Sequence, residues 1–225
     1  GDTIEEIRQN SSANFASQLR NVTQDDYLVR TLSLPSKYGV ISKAFVEPTK
    51  ISSLSSGESQ SILDLYVLSL NAVGQLVTAS NALKQNLTTY LSQYKMIGDS
   101  VNIRDGFIVN IGIDFDIIVL PDYNSNEILT NCILALQNYF AIDKWQINQP
   151  IILRNIYVLL DNIEGVQTVK SINIINKVGE YIGYSPYSYS IEAATVSNVI
   201  YPSLDPMIFE VKYPNTDIQG RVVSL

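Results

Sequence analysis

The stretch Phe107-Ile108-Val109-Asn110-Ile111-Gly112-Ile113-Asp114-Phe115-Asp116-Ile117-Ile118-Val119 decides the fold. Phe107, Val109, Ile111, Ile113, Phe115, Ile117 and Val119 recur at every second position, and Asn110, Gly112, Asp114 and Asp116 fall on the other side, which is the signature of a long strand. Such alternation predicts one buried face and one face that is wet or covered by a partner. Pro121 ends the run. Asn124 then offers a cap to a helix whose stripe is Leu129, Cys132, Ile133, Leu136 and Phe140. Pro150 announces a second helix, with Ile152, Ile156, Leu159, Leu160 and Ile163 on one side and Gly165 after it. Val166 to Ile175 reads as a returning strand, so the central unit is β-α-α-β.

Toward the N-terminus the pattern is strand, strand, helix. Residues 38–47 read as a strand stopped by Pro48, and residues 62–70 as its antiparallel partner across a Ser-rich loop, Ile51 to Ser61. From Ser80 the period becomes helical, with Leu83, Leu87, Tyr90, Leu91 and Tyr94 on one face and a stop near Ile97-Gly98. A short strand at Val101-Asn102-Ile103 follows. Upstream, Thr23 caps a short helix carrying Asp25 and Asp26 in its first turn. Residues 3–20 read as a helix with a thin stripe, Ile4, Ile7, Phe15 and Leu19, that needs an outside surface to lie on.

The last fifty residues differ. Tyr181, Tyr184, Tyr187, Tyr189, Tyr201 and Tyr213 are interleaved with Pro186, Pro202, Pro206 and Pro214. Little periodicity beside many large rings suggests an extended arm that buries its aromatics on another chain, with short strands at 191–200 and at Met207 to Lys212. The expected architecture is therefore α+β, with antiparallel or mixed sheets and packed helices (ββα followed by ββααβ) and an extended aromatic C-terminal arm. The expected divisions are an N-terminal helical segment 1–35, α+β subdomains 36–100 and 101–178, and the arm 179–225. Interface candidates are Ile4, Ile7, Phe15, Tyr184, Tyr187, Tyr189, Tyr201, Phe209 and Tyr213.

Composition narrows the chemistry. The chain has 225 residues, 15 Lys+Arg against 22 Asp+Glu, a net charge of −7, 46% hydrophobic and 16% charged residues. An acidic chain is a poor ligand for phosphate backbones, so no nucleic-acid partner is expected. It contains no histidine, which removes the commonest neutral-pH base and zinc ligand. Cys132, the single cysteine, lies on an apolar stripe, so it forms no intramolecular bridge and reads as a small hydrophobe made in a reducing compartment. No apolar run is long enough to span a membrane, and the start Gly1-Asp2-Thr3 reads as that of a soluble fragment. Asp114 and Asp116 share a strand face and form the one paired-carboxylate candidate, yet without neighbouring ligands they read as a solvated face. No phosphate-binding glycine loop is present. The C-terminal tyrosines admit a second use, stacking on sugars in a carbohydrate-binding or adhesin-type module.

The order of these features resembles the baseplate J-like family of contractile-tail proteins, and in particular the C-terminal part of the large dimeric baseplate wedge subunit of contractile-tailed bacteriophages. The resemblance rests on Thr23-Gln24-Asp25-Asp26-Tyr27, on the Leu83 to Ile97 helix running into Gly98-Asp99-Ser100-Val101-Asn102-Ile103, and on Gly165-Val166-Gln167-Thr168-Val169. It continues through Tyr201-Pro202-Ser203-Leu204-Asp205-Pro206, Phe209-Glu210-Val211-Lys212-Tyr213-Pro214 and Asp217-Ile218-Gln219-Gly220-Arg221. It implies a structural, non-enzymatic virion protein of the tail baseplate, assembled in the host cytoplasm. It also implies a homodimer that meets other wedge subunits to build the inner ring, with no catalytic residue, cofactor, metal, small-molecule substrate or membrane insertion.

Overall fold

The computed structural model describes residues 20–48, 61–96 and 98–224. The chain divides into two compact units, Gly1–Gly106 and Phe107–Leu225. Among the described residues there are eleven strands and six α-helices in open sheets, an α+β protein as the sequence predicts. The helix expected over 3–20, with Ile4, Ile7 and Phe15, and most of the Ser-rich loop lie outside the described residues.

In the first unit, helix α1 (Gln24–Leu32) begins at a reciprocal cap. The Thr23 side chain accepts the Asp26 amide at 3.2 Å, and the Asp26 carboxylate accepts the Val22 and Thr23 amides at 2.9 and 2.8 Å. The sheet is built on β2 (Ser61–Leu70). Strand β1 (Lys43–Pro48) pairs with it antiparallel, as expected, with Phe45 opposite Tyr66. The other edge of β2 takes β3 (Leu76–Thr78) antiparallel and β4 (Asp99–Asp105) parallel. Helix α2 (Asn81–Ser92), capped by Ser80, makes the crossover that a parallel partner requires. It places Leu83, Leu87 and Leu91 on Leu65 and Val67, and Ala44, Val46, Val101 and Ile103 pack against that cluster. Lys84 ties the helix to β4 through Asp105 at 2.6 Å. The strand at 101–103, expected to open the next subdomain, thus completes the first sheet.

In the second unit, β5 (Phe107–Val119) is the central strand. Strand β7 (Val166–Asn176) pairs with it antiparallel along one edge. Helices α3 (Ser125–Tyr139) and α4 (Leu153–Asp161) bury Ile128, Cys132, Leu136, Ile156 and Leu160. The expected β-α-α-β unit is present. Helix α4 starts at Leu153 because Ile151 and Ile152 form a strand, β6, of a small sheet with β8 (Thr195–Val196) and β9 (Val199–Ile200). Before β8 lies helix α5 (Ile191–Ala194). The turn between β8 and β9 holds Ser197 and Asn198 at φ 52° and 63°.

The C-terminal arm is where the structure corrects the sequence reading. Strand β10 (Met207–Glu210) runs parallel to β5, pairing Phe209 with Val109 and Glu210 with Asn110. After the helical turn α6 (Pro214–Asp217), β11 (Ile218–Val222) pairs parallel with Ile113 to Ile117 on β5. A central strand has two rows of backbone donors and acceptors, and β7 satisfies only one of them. The terminal residues supply the second row, so they are an integral edge of the sheet.

Candidate functional site

The polar side of β5 is where the terminal residues gather. Asn110 is fully buried. Its Nδ2 donates to the Glu210 carboxylate at 2.7 Å, its Oδ1 accepts the Ser185 amide at 2.7 Å, and its backbone carbonyl accepts the Lys177 amide at 2.8 Å. One amide side chain thus holds a strand and a loop in register. Gly112, two residues on, leaves room for the Lys177 side chain and the Asp217 carbonyl. Asp217 is buried and accepts the Tyr213 amide at 2.8 Å and the Tyr184 hydroxyl. Burial first, and then that hydrogen bond to a carboxylate, push the Tyr184 hydroxyl well above its ordinary pKa.

These contacts settle where the aromatic candidates lie. Phe209 is 2% exposed, under the edge of Tyr189 with ring centroids 5.8 Å apart. It is a core residue and leaves the set of interface candidates, because β10 turns it inward beside Val109. Tyr189 gives its hydroxyl to the Tyr201 carbonyl and its amide to Asn176. Tyr184 and Tyr213 meet edge to face at 5.4 Å. Tyr187 packs its ring on Phe107 at 4.8 Å yet stays 43% exposed, and Tyr201 is 51% exposed. Within the described residues, the rings expected to reach outward make most of their contacts inside their own unit.

The remaining candidates resolve in the same way. Asp114 is exposed, whereas Asp116 accepts the Ser171 hydroxyl at 3.1 Å and pairs with Arg221 at 3.0 Å. They occupy a solvated polar stretch of the sheet. Cys132 is buried, and burial pushes its thiol up to about 11. No group of three or more His, Cys, Asp or Glu able to hold a metal occurs among the described residues, and none of their helices is long and apolar enough to cross a membrane.

Two surface features escaped the sequence reading. A groove of about 230 Å³ in the first unit is lined by Pro35, Lys37, Tyr38, Asn86, Thr89 and Tyr90. In the second unit the loop between Pro202 and Pro206 holds out Leu204, which is 89% exposed. The signal for the second was in view, a leucine between two prolines with no periodic partner.

The molecule these observations define is an α+β protein of two units, each with its own sheet, and with no metal-holding group of His, Cys, Asp or Glu among its described residues. No family model matches the chain, and no curated protein matches it. Its fold is similar to that of a chain in the cryo-EM structure of the anti-feeding prophage baseplate, 6-fold symmetrised, with a TM-score of 0.54 and 15% identity. The likeness covers 93% of this chain and 42% of that one, so this chain spans less than half the length of its structural neighbour. At this identity the likeness is one of fold.

Proposed function

We propose that this chain is a structural subunit of a contractile-tail or contractile-injection baseplate, acting through protein–protein contacts and without catalysis. The observation that carries the reading is the shared fold over nearly the whole chain with a baseplate component. A family of the baseplate J-like kind, a place in the wedge and inner ring, and a homodimer are the finer parts of the proposal, and the ordered motifs from Thr23 to Arg221 support them. The four-part division of the chain is not needed for it. Exposed apolar side chains such as Leu134, Val158, Tyr187 and Tyr201 give such a subunit material for contacts. No observation now favours the carbohydrate-binding alternative, since Tyr184, Tyr189 and Phe209 spend their faces and hydroxyls on their own unit.

The test is location. A cryo-EM map of the particle whose genes encode this chain is expected to show its two sheet units at the baseplate, and a baseplate fully accounted for by other chains overturns the reading. The homodimer is checked separately by sedimentation of the purified chain at high micromolar concentration, where a persistent monomer rejects it.

A further inference from the structure

The groove of the first unit runs along α2 toward the point where the described chain begins. One side is Asn86, Tyr90 and Gln93, a helical rise of about 10 Å, and Pro35 and the 39% exposed Tyr38 ring form the other. Asn86 Nδ2 donates to the Tyr38 carbonyl at 3.1 Å, which pins the turn Ser36–Tyr38 against α2 and keeps the groove open. Beyond Gln93, the Tyr94 ring meets Tyr90 edge to face at 5.2 Å and carries Arg30 over its face at 4.3 Å. There the Asn21 amide donates to the Tyr94 carbonyl at 2.8 Å. The chain that precedes Asn21 therefore starts about one helical turn from the Tyr90 ring. The Asn21 side chain is fully buried, and neither its Nδ2 nor its Oδ1 has a hydrogen-bond partner among the described residues. A buried amide with donor and acceptor both idle calls for a group that offers one of each, and a peptide unit of a chain doubled back over it does so.

We propose that the chain before Asn21 turns back along α2 and seats Phe15 of the same copy in this groove, its ring between Tyr38 and Tyr90. Phe15 is the only aromatic residue among 1–26. The six residues from Phe15 to Asn21 reach at most about 20 Å, enough to cover the groove from Tyr94 to Asn86. So short a tether holds the ring at an effective concentration on the order of millimolar, which a second copy in dilute solution does not match. Ile4 and Ile7 lie eleven and eight residues further from the exit, so the tether favours Phe15 over them. A flat ring also suits walls made of two tyrosines, where edge-to-face contact adds to the area buried. The stripe read from residues 3–20 needs a surface to lie on, and the groove supplies one within its own unit. A neighbouring subunit then meets this side of the first unit through the seated segment and not through the bare Tyr38 and Tyr90 rings. The inference concerns a single chain and stands apart from the baseplate reading.

Disulfide trapping in the full chain tests it. Ala16→Cys and Thr89→Cys together put one thiol beside Phe15 and another on the groove wall, while Cys132 is buried and stays out of the exchange. Under mild oxidation this pair is expected to close within one chain, read as a faster band on a non-reducing gel. Adding Phe15→Ser removes the ring and leaves the tether as it was, and closure is expected to slow about tenfold. Tyr38→Ser, a change on an exposed wall residue, is expected to slow closure to a similar degree with the far-UV melting temperature unchanged. Closure at the parental rate after either substitution would show that the tether alone brings the thiols together, and overturns the docking. A pair that never closes overturns it too, as does a disulfide that joins two chains, which would move the segment to a second copy. The baseplate location, decided by the map, has no bearing on these rates.

Discussion

At the residue scale, the buried polar groups carry the specificity of the second unit. Asp217 serves two donors, the Tyr213 amide and the Tyr184 hydroxyl, in a place with little water. Asp217→Ala orphans both and is expected to cost about 3 kcal/mol, while Tyr184→Phe removes one bond and is expected to cost about 1 kcal/mol. Urea unfolding followed by Trp145 emission ranks the two, and equal losses would show that the hydroxyl, not the amide, is what Asp217 serves. Asp26 makes a different kind of prediction. Burial pushes its carboxyl up, but the Thr23 and Val22 amides, the Thr23 hydroxyl and Arg30 outweigh it, and the net pKa lies below the ordinary value of 3.8. A depressed carboxyl contributes stability above its unfolded pKa and loses it as pH falls through the folded one. The first unit is therefore expected to keep the cap from neutral pH down to about 4, the unfolded value, and to lose it below. Thr23→Ala, expected to cost about 1 kcal/mol at pH 7, should cost less at pH 2.5 in a far-UV melt. The sequence displayed the cap plainly, because Thr23 and Asp26 sit at a fixed local spacing. It hid Asn110 and Asp217, because their partners at 184–185, 210 and 213 are brought in by the fold and leave no mark in the spacing.

At the element scale, the strand over 107–119 was legible because its alternation is local, and the two helices after it because their stripes are. Of the strands that complete the sheet, the one at Met207–Glu210 was legible as a short strand, but its pairing with Phe107–Asn110 and the strand at Ile218–Val222 were not. Met207–Glu210 and Ile218–Val222 are short, split by the turn at Pro214, and paired in parallel with residues about a hundred positions earlier. Parallel pairing at that distance has no sequence period, and the surrounding tyrosines and prolines made the region look like an arm. The distinction is testable. Truncation after Pro206 removes β10 and β11 and bares one edge of β5. We expect this variant to aggregate and to lose the cooperative Trp145 transition, whereas a detachable arm would leave that transition where it is. Gly220 provides a milder version. A Cβ there would meet the Phe115 ring and, at 2.7 Å, Leu129 Cδ1 on α3. Gly220→Val is therefore expected to lower the melting temperature of the second unit by several degrees, an overpacking cost of about 1–3 kcal/mol. An unchanged melt would mean that α3 rides up without penalty.

At the scale of the whole molecule, each unit has its own sheet and its own core, and both are built alike. A long central strand, β2 or β5, is antiparallel to one neighbour on one edge and shared by two shorter strands on the other. The sequence placed helix and strand in this order but not the boundary, which falls at Gly106-Phe107 between two strands with no linker to announce it. A core of this kind needs no help from the other unit, so residues 107–225 expressed alone are expected to fold. Trp145 makes this measurable, since it is the only tryptophan, is 2% exposed and stacks on Phe140 at 5.3 Å with a 5° interplanar angle. Its emission reports the second unit alone, while far-UV circular dichroism reports both. In the full chain the two signals are expected to give different urea midpoints, and the emission midpoint is expected to be the same in the 107–225 fragment. Coincident midpoints in the full chain, together with a fragment that fails to fold, would mean that the two units unfold as one cooperative body and that neither core suffices by itself.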